Sequence, residues 1–234
     1  KSQYTSLIAE IKQKSPSVGP MLPQNVANAL QVYANHPQVH AISILTNSYY
    51  FGGCVEDLLN ARISQRKPLL RKDFIISEYQ ILEARAFGAD CILLMASVLD
   101  QSRLRGFFNL AREYNMQALF EIHEESEIKS LPSDATIIGI NSRRFRSNHG
   151  FSGPDSFSEK DFSIHLDAFE LVEKLPQSSI KVAESGISTQ NLKLVVSRFN
   201  ALLVGTSFLR DPRGIQVAVD EFARELQNLQ FSNP

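Results

Sequence analysis

Eight short apolar runs, each leading into a longer stretch of helical periodicity, constrain this chain more than any other feature of its sequence. They fall at residues 7–11, 39–45, 68–70, 91–95, 118–122, 137–140, 180–183 and 201–204. The runs are unbroken rather than alternating, which suits strands covered on both faces. The amphipathic stretches between and after them predict helices near 23–34, 55–64, 78–87, 100–113, 124–130, 166–175, 189–198 and 215–229. Eight strand–helix units in 234 residues predict an α/β fold, a closed (β/α)8 TIM barrel rather than an open sheet. Such barrels run to about 250 residues as one unit, so a single domain over 1–234 is expected. One interval is long. Between the sixth and seventh runs, residues 144–161 are rich in Ser, Gly, Phe and charge. They read either as an extended loop on one rim or as an insertion without a role.

Several runs end abruptly in charge. The third closes on Arg71-Lys72-Asp73, the first on Glu10-Ile11-Lys12, the fifth on Glu121 and the seventh on Glu184. A lysine at the end of a buried strand is either a barrel-mouth group or an ordinary solvated end; several such ends point to one charged rim. Glu10 and Lys12 stand two apart, so both side chains share a face, as a structural ion pair or as part of a site. Lys72 and a carboxylate such as Glu121, sharing a dry mouth, could serve as acid and base with shifted pKa values. Asn141 and Arg143 follow the sixth run and suit recognition of hydroxyls and of a carboxylate or phosphate. Arg71 and Asp73 read as a rim-stabilising pair, and Phe74 as either a pocket wall or core.

The turn Glu184-Ser185-Gly186 follows the seventh run, and Gly205-Thr206 follows the eighth. Backbone amides of these two loops commonly bind phosphate in barrels, and glycine permits the close approach. Ser15, on the first loop, could add a hydroxyl from across the mouth. Each turn alone is also just a good strand-to-helix connection. The histidines show no ligand spacing; His123 lies just past Glu121 with no Cys or second His nearby, so no metal site is expected. The net charge of -1 argues against nucleic acid or an anionic membrane as the main partner. No apolar run reaches the roughly 20 residues a membrane span needs. The first 20 residues are polar and broken by Pro16 and Pro20, so no signal peptide is expected. Cys54 and Cys91 form no CxxC pair and suggest a reducing, cytoplasmic setting.

The blocks Ala9-Glu10-Ile11-Lys12, Lys14-Ser15-Pro16-Ser17 with Gly19, Leu70-Arg71-Lys72-Asp73-Phe74-Ile75, Glu121-Ile122-His123, Gly139-Ile140-Asn141 and Glu184-Ser185-Gly186-Ile187 occur in order. In them the chain resembles indole-3-glycerol phosphate synthase. The resemblance implies a carboxy-lyase (decarboxylase) of tryptophan biosynthesis, one of the enzymes of aromatic amino acid biosynthesis. Its small-molecule phosphosugar–anthranilate substrate is 1-(2-carboxyphenylamino)-1-deoxyribulose 5-phosphate, closed to indole-3-glycerol phosphate with loss of carbon dioxide and water. By the same resemblance Lys72 is the general acid on the ribulose carbonyl oxygen, and Glu121 manages the later proton transfers. Lys12, oriented by Glu10, holds the substrate carboxylate, while Asn141 and Glu184 position the anilino nitrogen and sugar hydroxyls. The phosphate end sits on Ser15, Ser185, Gly186, Gly205 and Thr206, and Arg143 could serve either anion. No cofactor or metal is implied, and association with other tryptophan-pathway enzymes is a further expectation. Family members usually carry a longer N-terminal segment that packs over the mouth. Here the sequence starts almost at the first strand, so the 144–161 loop is expected to take over part of that lid. The rival readings are a Schiff-base aldolase using Lys72 or Lys12, a related phosphosugar isomerase, and a binding protein without turnover.

Overall fold

All eight apolar runs form strands, and their period-two alternation decides what faces inward. The computed structural model describes residues 4–143 and 164–231. The barrel strands are β1 (Ser6–Ile11), β4 (Val39–Leu45), β5 (Leu69–Lys72), β6 (Cys91–Met95), β7 (Gln117–Ile122), β8 (Ile137–Asn141), β9 (Ile180–Glu184) and β10 (Ala201–Val204). They pair in parallel in that order, and β10 closes back on β1. A short antiparallel hairpin, β2 (Lys14–Ser15) and β3 (Gly19–Pro20), caps the first loop.

Inward positions such as Leu70, Leu93, Leu119, Val182 and Leu203 fill the barrel interior. Their neighbours, among them Leu69, Ile92, Phe120, Ala183 and Val204, pack outward against the helices. Both faces are apolar, which is why the runs lack alternation. On four of these strands the inward series turns polar at the C-terminal end: Leu70 is followed two residues on by Lys72, Leu119 by Glu121, Ile137 by Gly139 and Asn141, and Val182 by Glu184. The charged rim is thus the top layer of the same inward-facing rows.

The outer ring comprises α1 (Pro23–Asn35), α2 (Ser48–Phe51), α3 (Glu56–Ser64), α4 (Glu78–Ala86), α5 (Gln101–Glu113), α6 (Glu125–Ile128), α7 (Thr206–Leu209) and α8 (Ile215–Phe231). Helix α5 shows the local logic. Asp100 caps it by accepting the Arg103 N–H at 2.8 Å, and Leu104, Phe107, Phe108 and Ala111 form one buried stripe. Phe108 meets Phe120 edge-on at 5.1 Å. Phe120→Ala should therefore cost about 3–5 kcal/mol, seen as a lower denaturant midpoint at unchanged slope.

Two expected helices differ. The segment Leu166–Lys174 is a 3-10 helix, burying Ala168, Phe169 and Val172. The helix expected at 189–198 shrinks to one 3-10 turn, Leu192–Leu194. Asn191 is the reason: its side chain accepts the Ser188 N–H at 2.9 Å and donates to the Gly186 carbonyl at 2.7 Å. Those local bonds compete with a helical start. The short helix α7 was not expected from the sequence. The connection at 144–161, and its role as a lid, lie outside the described residues.

Candidate active site

A cavity of about 260 Å³ opens at the C-terminal end of the barrel, where (β/α)8 enzymes carry their sites. Every residue given a catalytic or substrate-binding part from the sequence borders it, from Glu10, Lys12 and Ser15 on the first strand and loop to Gly205 and Thr206 on the last. Leu93, Met95 and Leu203 close its floor, all three almost fully buried. Its upper wall is apolar on one side, where Phe74 stacks on Phe51 at 6.4 Å and 25°. The Phe74 ring is thus a pocket wall.

At the centre stands Lys72. Its Nζ lies 2.9 Å from Glu121 Oε2 and 3.2 Å from Glu184 Oε2. Both carboxylates are 1% exposed, so water does not screen them. Burial alone would lower the Lys72 pKa, but Glu121, Glu184 and Glu10 outweigh it and hold the ammonium well above its usual range. The two carboxylates are driven apart. Burial would raise Glu121, yet Lys72 and then His123 overcome that and bring its carboxyl below the ordinary range. Burial pushes Glu184 up to about 8, and the charge of Glu121 adds to the rise against the pull of Lys72. Near neutral pH the cluster of Lys72, Glu121 and Glu184 therefore presents one ammonium, one carboxylate and one carboxylic acid, a pattern that separates acid from base.

Glycines make the room. A Cβ at Gly139 would fall 1.9 Å from Glu184 Oε1, so only glycine on β8 leaves space for that carboxyl. At Gly205 it would fall 2.7 Å from Glu10 Oε1. Glu10 in turn holds Lys12, whose Nζ donates to Oε1 at 2.6 Å. The ion-pair reading of Glu10 and Lys12 is thus satisfied inside the cavity rather than away from it.

Asn141 Oδ1 accepts the Arg143 N–H at 2.9 Å, and the Arg143 guanidinium reaches Ser17 Oγ across the mouth. Ser17 and Ser15 share a hydrogen bond at 3.1 Å, so the first and sixth loops meet there. Ser185 has φ of +68°, unusual for a non-glycine residue, and its carbonyl accepts the Ser142 hydroxyl at 3.0 Å. Beneath Lys72, Arg71 fixes the rim. Its Nε donates to Thr46 Oγ1 at 3.1 Å, one Nη to the Gln80 carbonyl at 2.8 Å, and the other pairs with Glu83 at 2.7 Å and Asp73 at 3.4 Å. Thr46 donates onward to Asp73 at 2.6 Å. The network ties the loops after β4 and β5 together on either side of Lys72.

One neighbour escaped the sequence reading. His123 Nε2 lies 3.3 Å from Glu121 Oε1. The sequence signal was its position two residues past Glu121, which continues the inward row of Leu119 and Glu121. Among the described residues no group of three or more His, Cys, Asp or Glu side chains could hold a metal ion.

The barrel itself is widely shared. It matches 3-hexulose-6-phosphate synthase from Salmonella typhimurium over 98% of this chain and 100% of that one, with a TM-score of 0.65 at 13% identity. At that identity the likeness is one of fold. The sequence says more. A protein called indole-3-glycerol phosphate synthase in Albidiferax ferrireducens is 37% identical over 212 residues, 88% of this chain and 75% of the relative. One of the same name in Leptospira interrogans is 38% identical over 214 residues, 89% of this chain and 79% of the relative. The family model described as indole-3-glycerol phosphate synthase matches residues 1–219, which takes in every strand of the barrel and every residue of the mouth described above. On that match the chain belongs to the indole-3-glycerol phosphate synthase family.

Proposed function

We propose that Lys72 and Glu121 carry the proton transfers of indole ring closure in this chain, while Lys12, Glu10, Asn141 and Glu184 hold and orient the substrate. As a member of its family the chain is a carboxy-lyase of tryptophan biosynthesis. It closes 1-(2-carboxyphenylamino)-1-deoxyribulose 5-phosphate to indole-3-glycerol phosphate and releases carbon dioxide and water. The observation that carries the division of labour is Lys72 between two buried carboxyls whose affinities for a proton are driven apart.

Lys72 donates its proton to the ribulose carbonyl oxygen as the aryl carbon attacks. In the resting site the same ammonium keeps Glu121 a weak base. When Lys72 turns to the substrate, Glu121 loses its partner and its basicity rises, at the stage when a proton must be taken up before water leaves. Glu184, neutral near pH 7, donates a hydrogen bond to a sugar hydroxyl or the anilino nitrogen. Lys12, held by Glu10, faces the substrate carboxylate until it departs as carbon dioxide. The phosphate rests on the loops of Ser185, Gly186, Gly205 and Thr206, with Ser15 opposite, and the aryl ring lies against Phe74. Arg143, reaching across the mouth to Ser17, is placed for either anion.

The test is direct because the protein contains no tryptophan. Incubation with the carboxyphenylamino-deoxyribulose phosphate should give an indole fluorescence that only product can supply. Binding of that substrate with no fluorescence would refute the reading. A cytoplasmic setting is supported by two free cysteines, one exposed and one half-buried, among the described residues. No helix among the described residues is long and apolar enough to cross a membrane. Association with other enzymes of the pathway rests on the resemblance alone and is checked by co-purification.

A further inference from the structure

The two oxygens of Glu121 have different neighbours. Oε2 faces Lys72 at 2.9 Å, and Oε1 faces His123 Nε2 at 3.3 Å. The imidazole sits just past the end of β7 and is only 8% exposed. Its other nitrogen, Nδ1, lies 3.8 Å from Glu127 Oε2. Glu127 is itself fixed, because Oε2 accepts the backbone N–H of His123 at 2.6 Å and of Glu124 at 3.2 Å. Those bonds close the first turn of α6. A row runs from the cavity to the rim: Lys72, Glu121, His123, Glu127. With a charged imidazole its signs alternate.

We propose that His123 is a positioning residue for the reaction, pinning Oε1 of Glu121 so that Oε2 stays turned toward Lys72 and the substrate, with Glu127 as its anchor. The inference rests on the reading of Glu121 as the proton carrier. A histidine serving only to fill the core would sit among apolar groups or backbone; this one stands between two carboxylates, with a ring nitrogen toward each. Without it Glu121 is free to rotate and give both oxygens to Lys72, which withholds the base from substrate. The groups facing the ring are Glu121 from β7, Glu127 from α6 and Lys72 from β5. Burial opposes its charge, but Glu127 and Glu121 outweigh burial and the more distant Lys72, so its pKa stands above the ordinary histidine value. The imidazolium is thus present at low pH and lost as pH rises through that raised value.

The experiment measures kcat, KM and thermal melting of the full chain, by indole fluorescence from acid to alkaline pH. His123→Ala should lower kcat about tenfold or more, with KM changed less than about twofold. His123→Gln, which returns a donor near Oε1, should recover most of the plateau rate. Glu127→Gln removes a carboxylate that favours the imidazolium, so its kcat should begin to fall at lower pH than the parent's. Purely structural support would not move that limb. The proposal is overturned if His123→Ala keeps its parent kcat at every pH, or loses rate only in proportion to its unfolded fraction. Glu121→Gln separates the two readings. If it is inactive while His123→Ala is normal, only this inference falls; if it is fully active, both fall.

Discussion

Lys72→Ala should lower kcat by roughly 10²- to 10⁴-fold, the range typical for loss of a general acid. It should also destabilise the fold by about 3–5 kcal/mol at neutral pH, because it leaves buried carboxyls without their cation. The stability effect depends on pH in a defined direction. Glu121 has a depressed pKa in the folded protein, so its pairing contributes stability above the ordinary carboxylate value and loses it as pH falls through the folded value. In the variant that contribution is gone. The gap between parent and variant in melting temperature should therefore be widest at neutral pH and narrow on acidification below about pH 4. A gap independent of pH would mean that Lys72 does not hold an ionised Glu121. Activity retained in the variant would remove Lys72 from the mechanism.

The second large effect comes from one methyl group. In Gly139→Ala the new Cβ would fall 1.9 Å from Glu184 Oε1 and 3.1 Å from its Cδ, with Leu119 Cδ1 at 3.2 Å. Glu184 must then turn away from Lys72. Misplacement by about an ångström costs on the order of 10²-fold, and that loss in kcat/KM is the expected result. Overpacking should take about 1–3 kcal/mol of stability as well. A double-mutant cycle isolates the cause. In a Glu184→Ala background the extra methyl meets only the end of the flexible Leu119 side chain at 3.2 Å, so Gly139→Ala should then have much less further effect. Fully additive losses would place the damage in the β8 backbone instead.

These effects show where sequence alone could and could not lead. The eight strands were legible because parallel strands buried on both faces leave unbroken apolar runs, and turn residues punctuate them. The mouth was legible because Glu10, Lys72, Glu121, Asn141 and Glu184 are polar where the runs end. The phase of each strand was hidden for the same reason that the strands were visible, since two apolar faces carry no alternation. Gly139 and Glu184 lie 45 residues apart in the chain, and only strand register brings the space at one to the carboxyl of the other. At 189–198 helical periodicity misled, because Asn191 spends its side chain on its own loop. His123 read as bland because it was weighed as a metal ligand, whereas its partners are Glu121 and the Glu127 that ends its own capping turn.

The floor of Leu93, Met95 and Leu203 has a consequence for traffic. A pit sealed below gives carbon dioxide, water and the indole product a common way out, the mouth through which the substrate came in. Departure is then a queue. The product must leave before the next substrate can land, so product should inhibit competitively and turnover should slow as the solution is made more viscous.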